Sequence, residues 1–268
     1  MRKNKKILLG ILILGLLLVS IIFSLVNKIK EKGSDFKIGI LADDGVALVS
    51  ISKQRKMINI LKIDPEVQIW IPGGLGWYRN IAVKKILQQE NKVGLMSDVL
   101  FYNFGFSPDK IISLKKVNDW KGKFWWQFIL NGNQNLTKEE ILKKDIDQSD
   151  DFLDEVMIRD FSETKIVNED LKLSVVNLTN ENGLATFMTK RFERLGFSVI
   201  SIGNNNGGEI KTCQILYGLK VKETFSWKLI DRLIDCSKKE DLSLNQNEVE
   251  LYFDDNFSTM IKYPSYKK

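Results

Sequence analysis

Apolar residues stand in an unbroken run from Ile7 to Val26, ILLGILILGLLLVSIIFSLV, twenty positions without a charge. A helix rises about 1.5 Å per residue, so this run spans roughly the 30 Å of a bilayer's hydrocarbon core. Beyond it the pattern shortens. FKIGIL (Phe36 to Leu41), VALVSIS (Val46 to Ser52) and MINILKI (Met57 to Ile63) are apolar runs of strand length, broken by Ala42-Asp43-Asp44-Gly45 and by the basic turn Lys53-Gln54-Arg55-Lys56. VQIWIP follows, then the glycine-rich, flexible 73–76. NIAVKKILQQE and VGLMSDVLFYNFG have helical spacing, and FWWQFIL (124–130) reads as a strand. Thr137-Lys138-Glu139-Glu140 has the spacing of a capping box opening a helix, with an acidic stretch after it.

A second pattern begins near Leu171 with the strand LKLSVVNLT. GLATFMTKRFERLGF predicts a helix with Leu184, Phe187, Met188, Phe192 and Leu195 on one face, stopped by Gly196. SVISIG and TCQILYG predict strands, SWKLIDRLIDCS a second amphipathic helix and VELYFDD a closing strand. The fold class expected is α/β: an N-terminal transmembrane helix, a reduced α/β domain, then a small β-α-β-β-α-β domain. The expected divisions are a cytoplasmic tail 1–6, the span 7–26, a linker 27–36, a first domain 37–150, an acidic linker 151–170 and a second domain 171–268.

Charge adds orientation. The first 32 residues hold seven basic side chains and one acidic, which accounts for the whole net charge of +6; the remainder carries 33 of each sign. The excess therefore belongs to the membrane flanks, and nucleic acid is not an expected partner. MRKNKK outweighs NKIKEKG slightly, which favours a cytoplasmic N-terminus and an extracytoplasmic bulk in a single-pass cell-membrane protein. A cleaved signal peptide competes, but the run exceeds the usual apolar region, no A-x-A site follows, and no cysteine follows for a lipid anchor. Histidine is absent, which removes Ser-His-Asp and Cys-His nucleophile systems and His-ligated zinc.

The ordered set VVNLTNENGLATFMTKRFERLGFSVISIGNNN…KTCQILYG resembles the C-terminal domain of LytR-CpsA-Psr cell-envelope proteins: V-x-N-x-T at Asn177 and Thr179, G-L-A at Gly183 to Ala185, G-F-x-V at Gly196 to Val199, then Gly203, Asn204 and Thr212. Residues 36–130 resemble a reduced form of that family's main domain, through DDGVALVSISKQRKMINILKID, IPGGLGWYRNIAVKKI and DVLFYNFGFSPDKII. The resemblance implies a transferase moving a glycopolymer from a polyprenyl-pyrophosphate carrier onto peptidoglycan, with aspartates, a divalent metal and several arginines. Asp44 stands at the T-D-T aspartate. The loop that precedes it is deleted, Lys62-Ile63-Asp64-Pro65-Glu66 replaces S-I-P-R-D, and Arg55 and Arg79 are the only arginines over 36–150. A pyrophosphate site wants several fixed cationic forks, and two arginines are too few unless Lys62, Lys84 and Lys85 substitute as looser point charges.

The domain is therefore expected to be non-catalytic, with no cofactor, and the protein to be an envelope accessory that binds wall glycopolymer, peptidoglycan or an assembly partner. The alternatives are a phosphotransferase using Asp44 and Mg²⁺ with Arg79 and lysines, and a membrane-tethered regulatory scaffold. Candidate binding residues are Trp77 and Arg79 on the glycine-rich loop, and Asn177, Thr179 and Gly183 at a helix entry. The competing readings are loop packing and backbone capping. Asp43 and Asp44, beside Asp64 or Glu66, are weak metal candidates against a plain Asp-Gly turn. Trp120, Phe124, Trp125, Trp126 and Phe128 are prenyl or interface contacts, or core. Cys213 and Cys236 are expected as two buried thiols, with a disulfide as the alternative.

Overall fold

A computed structural model describes residues 35–52, 55–120, 136–143, 151–204, 210 and 212–261. The apolar run 7–26 and the strand expected at 124–130 lie outside them. Among the described residues no helix is long and apolar enough to cross a membrane.

The three expected leading strands form. β1 (Phe36–Ala42), β2 (Gly45–Ser52) and β3 (Met57–Ile63) make an antiparallel meander. β2 is central and buried along its whole length, the pattern expected of a strand covered on both faces. β4 (Gln68–Ile71) and β5 (Gly76–Arg79) form a hairpin, so the glycine-rich stretch read as a flexible loop is a turn between strands. Gly73, Gly74 and Gly76 take positive φ there, which only glycine does at low cost. Helix α1 (Val83–Gln89) and helix α2 (Met96–Phe104) cover one face of the meander, and β6 (Lys110–Leu114) adds in parallel beside β1.

The capping-box reading of Thr137 to Glu140 is overturned. These residues lie in β7 (Leu136–Leu142), paired in parallel with β3 to complete the order β6-β1-β2-β3-β7. The T-x-x-E spacing fits a strand equally well, and alternation decides it. Thr137, Glu139 and Ile141 face solvent, while Lys138, Glu140 and Leu142 turn toward the helices. Lys138 and Glu140 are there held by Asp160 and Arg159.

The stretch 151–170, expected as an acidic linker, is helical: α3 (Asp151–Val156), a π-helical turn (Met157–Phe161) and α4 (Thr164–Glu169). Leu153, Val156, Met157 and Phe161 fill the first core with Leu41, Leu48, Leu61 and Phe104. Asp154 binds Lys190 at 2.9 Å and Arg194 at 2.6 Å. Burial works against its charge, but the two cations together hold the carboxyl below its ordinary value.

The second pattern folds as β8 (Lys172–Asn177), α5 (Leu184–Leu195), β9 (Ser198–Asn204), β10 (Gln214–Tyr217), α6 (Phe225–Leu233), β11 (Ser237–Glu240), β12 (Glu248–Phe253) and α7 (Asp255–Ile261). β11 and α7 are additions to the expected β-α-β-β-α-β order. β11, Ser-Lys-Lys-Glu, is exposed throughout and shows no apolar alternation. The sheet order is β11-β10-β12-β8-β9. The five apolar residues predicted along one face of α5 are all buried in its core.

That second core does not stop at the second pattern. It includes Trp70 of β4 and Phe101 and Tyr102 of α2, and the described residues form one compact unit. Two buried arginines of α5 reach the C-terminal carbonyls of α2. Arg191 donates to Tyr102 O at 2.7 Å and Arg194 to Asn103 O at 3.0 Å, cations placed at the negative end of a helix. Gly105 ends α2 at φ +64°, and a Cβ there would sit 2.5 Å from Arg191 O.

Asn103 performs a separate task. Its amide accepts from Trp70 N at 2.9 Å and donates to Trp70 O and Val99 O, both at 2.7 Å, so it stands in for a strand partner of β4. Asn103→Leu strands these buried backbone groups and is expected to cost about 2–3 kcal/mol in denaturant unfolding. Asn103→Asp keeps one acceptor and recovers only the Trp70 N–H bond.

Candidate functional site

The β1–β2 turn and the segments after β3, β5 and β6 meet at one end of the first sheet. Asn80, fully buried, is the centre of that end. It accepts from Val46 N at 2.8 Å and donates to Ile63 O at 2.8 Å, so it ties the start of β2 to the end of β3. Gly45 lies against the Asn80 amide at φ +128°, leaving no room for a Cβ. The sequence signal for Asn80 is faint: one polar residue just ahead of an amphipathic segment.

Around this end stand the candidates. Asp43, exposed, pairs with Lys84 at 2.7 Å, and Lys84 also donates to Leu114 O at 2.7 Å. Asp44 accepts from Val117 N at 2.7 Å, fixing the turn that follows β6. Arg79 and Glu66 form an exposed ion pair at 3.0 Å. Asp64 accepts from Glu66 N at 3.0 Å, closing its own turn. Lys62 pairs with Glu139, and Lys85 is exposed. The carboxylates thus brace backbone or balance single cations. Among the described residues no group of three or more carboxylates or cysteines converges as a metal site would require.

Trp77 lies opposite Trp70 in the β4–β5 hairpin and packs half-buried against the second core. Trp120 is fully buried in the apolar face of β1, β2, β3 and β6. Phe124, Trp125, Trp126 and Phe128 lie outside the described residues.

At the entry to α5, Asn177 Oδ1 accepts from Thr179 N at 2.9 Å and from Thr179 Oγ1 at 2.7 Å, and its Nδ2 donates to Glu181 O at 2.9 Å. Thr179 Oγ1 accepts from Glu181 N at 3.0 Å. Gly183 caps α5 in the left-handed region at φ +87°, and Phe187 N donates to its carbonyl at 2.8 Å. These side chains spend their hydrogen bonds within the loop that precedes α5, and the helix start itself has no side-chain cap.

The expectation of two buried thiols is overturned. Cys213 and Cys236 form a disulfide, with Cα atoms 5.2 Å apart. Parallel pairing of β10 with β11 places them as neighbours one residue before Gln214 and Ser237, within bridging reach. A separation of 23 in sequence could not reveal that adjacency.

Neither a family model nor a curated protein matches the chain. Among solved structures, the crystal structure of B. subtilis TagT is similar at 12% identity and a TM-score of 0.27, over 66% of this chain and 81% of that one. A TM-score that low does not establish a shared fold.

Proposed function

We propose that this chain is a single-pass, membrane-anchored cell-envelope accessory protein, with its N-terminus cytoplasmic and its bulk extracytoplasmic. It works by binding wall glycopolymer, peptidoglycan or an envelope-assembly partner. Supporting it are the charge-free run 7–26 and the ordered C-terminal motif set around Asn177, Thr179 and Gly183. The Cys213–Cys236 bridge suits an oxidising compartment.

The observation that carries the non-catalytic reading is the pairing of every candidate catalytic group: Asp44 with the Val117 amide, Asp43 with Lys84, and Arg79 with Glu66. A transferase acting on pyrophosphate needs such groups to converge on phosphate and metal.

The test is phosphate release from a short polyprenyl pyrophosphate by the full chain in detergent, with and without Mg²⁺, beside Asp44→Asn. Both proteins are expected to stay at background, with melting temperatures nearly equal because the amide oxygen of the variant would still accept from Val117 N. Mg²⁺-dependent release lost in Asp44→Asn would establish the phosphotransferase instead. Retention of the full chain on a purified wall fraction is the positive arm. A chain that neither turns over nor binds would be a scaffold.

A further inference from the structure

The helix-covered face of the first sheet carries one polar row. Register aligns Lys37 of β1 with Ser50 of β2, Ser50 with Asn59 of β3, and Asn59 with Lys138 of β7. Side chains in register point to the same side, so the four stand next to one another. The π-helical turn and the start of α4 lie over them. Asn59 Nδ2 donates to Asp160 O at 2.9 Å, Lys138 bonds the Asp160 carboxylate at 2.9 Å, and the Glu163 carboxylate lies 3.7 Å from Lys37 Nζ. Asp109 accepts from Lys37 N at 2.9 Å, and Asp35 is held by Thr164 at 3.0 Å and Arg55 at 3.3 Å.

Three oxygens here have no partner in the protein: Ser50 Oγ, Asn59 Oδ1 and Glu163 Oε1. Their residues are 0%, 1% and 5% exposed, so bulk solvent does not serve them. Native proteins seldom leave buried polar atoms unserved, and three together call for a common partner. Its chemistry follows from what remains. The Asn59 oxygen and an ionised Glu163 only accept, the Lys37 ammonium only donates, and Ser50 does either. The partner must donate to at least two oxygens and accept from an ammonium. It must also be small and carry no positive charge beside Lys37.

We infer that Lys37, Ser50, Asn59 and Glu163 enclose a hydration site beneath the π-helical turn, holding ordered water that donates to Asn59 Oδ1 and Glu163 Oε1 and accepts from Lys37. Bound there, water partly replaces the solvation both charges lose on burial. It also joins the first sheet to the second half of the fold, because Glu163 N donates to Leu195 O, at the end of α5, at 2.8 Å.

The experiment is a high-resolution crystal structure of the full chain in detergent, from crystals with and without rubidium chloride. Density within hydrogen-bond distance of Asn59 Oδ1 and Glu163 Oε1, with no rubidium anomalous signal, is expected. An anomalous peak would make the occupant a monovalent cation and overturn the assignment. A site with no density, its oxygens turned to other protein donors, would overturn it equally.

Discussion

Glu163→Leu is expected to destabilise the fold by about 3–5 kcal/mol, because it takes from the buried Lys37 ammonium the carboxylate it is paired with, leaving only the weaker influence of Asp35 and Asp109. Adding Lys37→Met removes the second charge and is expected to return most of that loss, since a buried ion pair replaced by apolar groups is often neutral or better. Both side chains are nearly inaccessible, at 2% for Lys37 and 6% for Glu163, so solvent screening does not soften either effect. Denaturant unfolding of the wild type, the two singles and the double measures the cycle; a double no better than Glu163→Leu would refute the pairing argument.

The same pair sets a pH signature. Burial raises the Glu163 carboxyl above its ordinary 4.5, with Lys37 opposing and Asp35 and Asp109 adding to the shift. From 4.5 up to that raised value the folded chain binds more protons than the unfolded one, so stability falls as pH rises. Burial lowers Lys37 from 10.5, with Arg55 reinforcing and Glu163, Asp35 and Asp109 opposing. Between the lowered value and 10.5 the unfolded chain binds more protons, so stability rises with pH. Both slopes should be absent from the double variant.

The second large effect concerns the disulfide. Bridging cysteines 23 positions apart restricts the unfolded chain by about 3 kcal/mol in the chain-entropy account. Cys213→Ser with Cys236→Ser, or reduction, should lower the melting temperature by several degrees. The loosened part should be β11, an exposed edge strand that among the described residues pairs with β10 alone. Thiol labelling of the native full chain taken from membranes provides the compartment test. Protected cysteines agree with an extracytoplasmic body, whereas quantitative labelling before reduction would remove that support.

How much of this was legible in the sequence depended on whether the signal was local. The strands of the meander were, because Phe36 to Leu41, Val46 to Ser52 and Met57 to Ile63 are mostly apolar runs divided by two polar turns. The helix-entry turn at Asn177, Thr179 and Gly183 was also legible as one of two readings, since the hydrogen bonds of Asn177 and Thr179 close within a few residues. Lys37 and Asn59 were visible as polar residues inside largely apolar strands, but nothing local said what they would face.

By itself the sequence determined the leading strands, the amphipathic face of α5 with its glycine stops, and the location of the net charge, because each follows from near-neighbour chemistry. Tertiary structure decided what depends on partners distant along the chain. It made a strand of Thr137 to Glu140 by pairing them with β3, and a disulfide of Cys213 and Cys236 by laying β10 beside β11. It made packed helices of the acidic stretch by setting Lys190 and Arg194 against Asp154. It bound Asp43, Asp44 and Arg79 to single partners. In each case the deciding energy is a contact between residues well separated along the chain, which a local pattern does not contain.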